Sequence, residues 1–115
     1  MPYKTPRLIY IAGPMRGLPE NNFSAFTEAD RNLAAEGWEV INPASLSLEV
    51  GGEEQLSARP MLLEALIAAE LSFLRYCDAI YLLPGWEESV GAREELATAL
   101  THKLQIVVDR SDDED

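Results

Sequence analysis

Short β-rich runs alternate with stretches of helical periodicity along this chain, and that alternation restricts the fold more than any other feature. The β-rich runs are 7–12 (RLIYIA), 38–42 (WEVIN), 78–83 (DAIYLL) and 104–108 (LQIVV). The first helical stretch, 23–36, sets Phe23, Phe26, Ala29, Leu33 and Ala34 on one face. Asn22 is placed to cap its start and Gly37 its end. The second, 61–76, carries Leu62, Leu63, Leu66, Ala69, Phe73 and Leu74 at helical spacing, with Pro60 in its first turn. The third spans 90–102. Residues 13–22 and 44–59 read as loops.

A β-α-β-α-β-α-β order implies a mostly parallel sheet covered on both faces. The expectation is a single-domain α/β protein. It should have a flavodoxin- or Rossmann-like three-layer fold and a sheet of four to five strands. The domain should span 1–108 and be followed by an acidic, disordered tail at 109–115. The length of 115 residues suits one domain. No apolar run approaches the roughly 20 residues of a membrane span, so no membrane partner is expected. The first ten residues lack the apolar core of a secretory signal, and the single cysteine, Cys77, excludes an internal disulfide framework. These features predict a cytoplasmic protein. The net charge is −11, of which the tail, with five acids and one base, contributes −4. Such a surface repels a phosphate backbone, so nucleic acid is not an expected partner.

In parallel sheets ligands bind beyond the carboxyl ends of the strands, near the point where strand order reverses. The loops after Ala12 and after Leu83 should therefore converge. The first is Gly13-Pro-Met-Arg-Gly17. It lacks both the dinucleotide G-x-G-x-x-G and the P-loop pattern. Its glycines permit close backbone approach, and Arg16 offers a planar fork for phosphate or carboxylate. A tight turn with a surface arginine is the plainer alternative. The second loop runs Leu83-Pro-Gly-Trp-Glu-Glu-Ser-Val-Gly-Ala-Arg-Glu-Glu95. Ser89 can serve as a helix N-cap. Gly91 sits early in a helix, where glycine costs up to about 1 kcal/mol against alanine, which suggests close approach of a ligand or another backbone. Glu94 and Glu95 cannot both face the sheet end, and Glu95 shares the Gly91 face. Glu70 lies eight residues before Asp78, either on a polar helix edge or near the same site.

Other residues point less clearly to chemistry. His102 stands alone near a helix end, and Cys77 reads as a small packing residue. Trp86 suits a lid, a base-stacking face, the core or a dimer interface. No cluster has metal-ligand spacing, and one histidine without G-x-S-x-G leaves no serine-histidine-aspartate set. Neither a metal nor a cofactor is implied.

Three segments together carry a resemblance. Tyr10-Ile-Ala-Gly-Pro-Met-Arg-Gly17, Cys77-Asp-Ala-Ile-Tyr81 and Ser89-Val-Gly-Ala-Arg-Glu-Glu95-Leu resemble the nucleoside 2-deoxyribosyltransferase superfamily. That group includes the 2′-deoxynucleoside 5′-monophosphate N-glycosidases. The similarity covers roughly residues 7 to 108. The resemblance implies an enzyme that cleaves the N-glycosidic bond of a nucleoside or nucleotide, by hydrolysis or base exchange. A glutamate attacks C1′, expels the base and forms a glycosyl-enzyme ester. Four residues after the motif glycine, the nucleophile corresponds to Glu95, with Glu94 as the fallback. Tyr10 matches the tyrosine that orients it. Glu70 matches an acidic position, more often aspartate, that contacts the sugar or protonates the base.

The resemblance also implies that Gly13, Met15, Arg16, Gly17, Ser89 and Gly91 bind substrate. Arg16, Gly17 and Ser89 match the family's 5′-phosphate-binding positions, although Pro14 replaces a serine. On that basis a nucleoside 5′-monophosphate is favoured over a free nucleoside. Members of the superfamily often continue into a further helix that serves a neighbouring subunit; here DRSDDED follows the last strand. A homodimer is expected by analogy. A non-catalytic nucleotide-binding or sensing protein on the same fold is the competing reading.

Overall fold

The computed structural model describes residues 7–15, 18–45 and 60–109. Its elements follow the expected order: β1 (Leu8–Ala12), α1 (Phe23–Ala35), β2 (Glu39–Ile41), α2 (Pro60–Leu74), β3 (Ala79–Leu82), α3 (Val90–Thr101) and β4 (Gln105–Val108). One-turn 3-10 helices at Pro19–Asn22 and Trp86–Glu88 precede α1 and α3. The four strands form one sheet in the order β2-β1-β3-β4, every pair parallel. The fold is thus α/β and Rossmann- or flavodoxin-like. The chain passes from β1 to β2 on one side and then returns to β3 on the other, so strand order reverses between β1 and β3.

Strand alternation sorts the core into two layers. Ile9 and Ile11 of β1 face α1 and pack with Phe26, Ala29, Leu33 and Ala79. Tyr10 and Ala12 face the opposite side, with Ile80, Leu82, Leu74 of α2, and Ala92 and Ala99 of α3. Asp78 fastens the amino end of the sheet, accepting the Leu8 N–H on Oδ2 at 2.8 Å.

The local signals behave differently from one another. Gly37 has φ +103° and completes a Schellman turn, with its N–H on Ala34 O and the Trp38 N–H on Leu33 O. Asn22 does not cap α1, contrary to expectation. It lies at φ 61° and its Nδ2 donates to Pro14 O at 2.9 Å. The preceding 3-10 turn feeds directly into α1, which frees this side chain to brace the first loop. Asn42 acts as an unforeseen cap. It is buried, accepts the Ala44 N–H at 3.0 Å, and donates to Asp30 Oδ2 at 3.1 Å. Residues 43–45 are consequently helical rather than loop, and 46–59 lie outside the described residues.

Two faces also need correction. Ala34 is exposed, one residue past the buried stripe of α1. In α2 the inward stripe is Ile67, Glu70, Leu71 and Leu74, whereas Ala69 and Phe73 are exposed. That helix is apolar around most of its circumference, so periodicity alone could not single out its buried side. Of the expected tail at 109–115, Asp109 is held to the sheet, its N–H on Leu82 O at 2.9 Å, and 110–115 lie outside the described residues.

Candidate active site

The reversal of strand order leaves a crevice above the carboxyl ends of β1 and β3. Both flanking loops line it, forming a cavity of about 320 Å³. Gly13, Pro14 and Met15 supply one wall, and Glu88 to Ala92 another. Glu70, Ile67 and Leu71 of α2 and Glu94 and Glu95 of α3 complete the side away from α1.

Tyr10 is fully buried behind Glu95, which lines this cavity. The hydroxyl donates to Glu95 Oε2 at 2.7 Å. Burial pushes the Tyr10 pKa well above its usual value of 10, and the neighbouring charges of Glu95 and Glu70 push it further. Tyr10 is therefore a neutral donor at any ordinary pH. Glu95 accepts a bond from a phenol that cannot ionise beside it, which orients the carboxylate. Glu70 is only 7% exposed yet lies on the cavity wall. A polar edge on a solvated helix face is thus excluded for it. Glu94 is exposed and also borders the cavity. Both glutamates reach the site, one from the interior and one at the mouth, where the sequence suggested that only one could.

Ser89 caps α3, accepting the Ala92 N–H on Oγ at 3.1 Å. Its hydroxyl proton is still available to a ligand, because an oxygen that accepts from the helix can also donate. The two motif glycines play opposite parts. A Cβ on Gly13 would stand 2.7 Å from Leu83 Cβ, so the fold itself requires glycine where the two loops cross. A Cβ on Gly91 would meet nothing within 4 Å. Neither packing nor backbone conformation accounts for Gly91, and the space beside it is the cavity. Arg16 and Gly17 lie outside the described residues.

Trp86, Cys77 and His102 do not line the cavity. Trp86 is half-buried against the core around Tyr10. Cys77 is buried, its thiol donating to Phe73 O at 3.4 Å. His102 is exposed just beyond the last turn of α3. Among the described residues no group of three histidine, cysteine or acidic side chains could hold a metal ion. No helix there is long and apolar enough to cross a membrane. The sequence reading missed Glu88 and the apolar walls Phe26, Pro43, Ile67 and Leu71. An apolar residue that lines a cavity has the same pattern as one that fills a core.

Among curated proteins no match is found. A family model described as a domain of unknown function (DUF4406) matches residues 7–108.

Proposed function

The chain belongs to the DUF4406 family, and we propose that it is an enzyme cleaving the N-glycosidic bond of a nucleoside or nucleoside 5′-monophosphate. The observation that carries this reading is the Tyr10–Glu95 hydrogen bond of 2.7 Å at the wall of a cavity that also holds Glu70. A binding module has no need of a carboxylate aligned by a buried, non-ionising phenol. A covalent glycosidase does, because its nucleophile must be charged and aimed before substrate arrives.

Glu95 attacks C1′ from the face opposite the base. The new C1′–O bond forms as the C1′–N bond breaks, and the bonding pair leaves with the base. Tyr10 holds the other carboxylate oxygen throughout. Glu70 faces the same space and is suited to contact the sugar or protonate the departing nitrogen. Water, or a second base, then displaces Glu95 from C1′ and restores its carboxylate. Gly91 leaves room for the substrate against the first turn of α3, and the Ser89 hydroxyl is available to it.

We place the protein in the cytoplasm as a homodimer. Support for the dimer is exposed apolar surface at the end of α2 and in the turn after it, where Phe73 is 40% and Tyr76 68% exposed. The test of the activity is release of free base from a panel of nucleosides and 5′-monophosphates, with and without an acceptor base. Wild type should release base and Glu95→Ala should not. Binding without release by wild type would instead identify a nucleotide sensor.

A further inference from the structure

The turn after β1 is held from three directions. Gly13 lies against Leu83, where a Cβ would stand 2.7 Å from Leu83 Cβ. The Pro14 ring packs over Gly85 of the second loop, where a Cβ would stand 3.2 Å from Pro14 Cγ. The Pro14 carbonyl accepts Asn22 Nδ2 at 2.9 Å. Pro14 and Met15 line the cavity on one side, and Ser89, just past the Gly85 turn, lines it on another. Pro14 is thus a point where the two loops bear on one another. Asn22 does not line the cavity, yet it fixes that point.

The bond is made at a local cost. Among the described residues, three other than glycine have positive φ, and two of them, Glu20 at 52° and Asn22 at 61°, fall in the single 3-10 turn Pro19–Asn22. The left-handed region is unfavourable for a residue with a Cβ, least so for asparagine. Asn22 also stands at the start of α1 without bonding its amides, so the helix forgoes a side-chain cap. Strain of this kind persists only where the surrounding structure imposes it, and it clusters at ligand sites. Here it aims the Asn22 side chain back across eight residues at Pro14.

We propose that Asn22 is a positioning residue: its bond to Pro14 sets the first loop against the second, and so the fit of substrate over Glu95, without touching substrate. The inference rests on the N-glycosidase reading. Proline supplies no N–H to hold its own segment, so without Asn22 the Pro14–Met15 peptide is free to turn. The closed wall is then populated for only part of the time, and apparent affinity falls by that fraction. Tyr10 and Glu95 stand on β1 and α3, outside this turn. Cleavage of seated substrate therefore proceeds as before.

Three variants of the full chain separate the bond from the backbone. Asn22→Asp keeps the shape and the tolerance of positive φ but has no donor. Asn22→Gly has no side chain and adopts the left-handed region without strain. Asn22→Ala loses the bond and keeps the strain. Base release is followed with the four common 2′-deoxynucleosides and their 5′-monophosphates, alongside thermal unfolding. On the fastest probe all three variants should raise KM by about three- to tenfold, the worth of one neutral hydrogen bond, and leave kcat within about twofold of wild type. Asn22→Gly and Asn22→Ala should share that KM although Asn22→Ala has the lower Tm. An unchanged KM in Asn22→Gly overturns the inference and leaves the glycosidase intact. So does a KM that follows Tm and rises in Asn22→Ala alone, which is the behaviour of a purely structural residue. A fall in kcat with KM unchanged overturns it as well. No base from wild type on any probe overturns the glycosidase reading, and this inference with it.

Discussion

Tyr10 of β1 donates its hydroxyl to Glu95 Oε2 of α3 across 2.7 Å, joining two residues that stand 85 positions apart in the chain. The phenol is buried and held neutral, so the bond is a fixed constraint on the carboxylate. Tyr10→Phe should keep the fold and lose only the donor. A hydrogen bond to a charged group contributes roughly 1.5–3 kcal/mol, so base release should fall by about 10- to 100-fold. The drop should appear in kcat more than in KM, as measured by steady-state kinetics with circular dichroism as a folding control. An unchanged kcat would remove Tyr10 from the proposed mechanism.

Gly13 and Gly91 should respond to alanine with opposite signs. At Gly13 the new Cβ collides with Leu83 at 2.7 Å. Overpacking of this kind costs about 1–3 kcal/mol, which urea denaturation should register as a loss of stability. At Gly91 the Cβ meets open space, and alanine should stabilise α3 by up to about 1 kcal/mol. The same Gly91→Ala protein should bind substrate more weakly. If it binds equally well, Gly91 does not face the ligand.

Alkaline pH should weaken the fold through Tyr81. Burial, and the charge and hydrogen bond of Asp109, raise its phenol from 10 to about 12. In that window the unfolded chain has released its proton while the folded chain still holds it. Stability is therefore fully present below pH 10, declines as pH rises from 10 to about 12, and loses nothing further from this group above that. Tyr81→Phe should flatten the decline in denaturant titrations across this range. Tyr10, raised in the same direction, should leave part of the slope in place.

Ser89→Ala separates the cap from the site. Loss of the Ser89 Oγ bond to the Ala92 N–H should cost about 1 kcal/mol of stability. Ser89→Asp keeps a cap acceptor but adds another negative charge at the cavity wall. It should restore stability and depress base release, which calorimetry and kinetics can follow in parallel.

The end of α2 and the turn after it give a test of assembly. Replacing Phe73 and Tyr76 with aspartate puts charge on a surface now occupied by exposed aromatic side chains. Light scattering should show wild type at twice the chain mass and the double variant at one. A monomeric wild type would reject the dimer.

Layer architecture was legible from the sequence because parallel strands and their helices are written as local patterns. The 7–12 run became β1, and Gly37 ended α1 where a left-handed residue was needed. The two loops were named from topology alone, and both line one cavity. What remained hidden depended on partners distant in the chain. Nothing local shows that Asn22 braces Pro14, or that Asn42 holds Asp30. Nothing local shows which side of an almost wholly apolar α2 turns inward and carries Glu70 to 7% exposure. The sequence also could not distinguish a glycine demanded by Leu83 from one with only cavity beside it. Order and periodicity of the elements are properties of neighbouring residues, and the chain determined them by itself. The alignment of Tyr10 with Glu95, and the charge of the space around them, arise only when β1, α2 and α3 are brought together by the sheet.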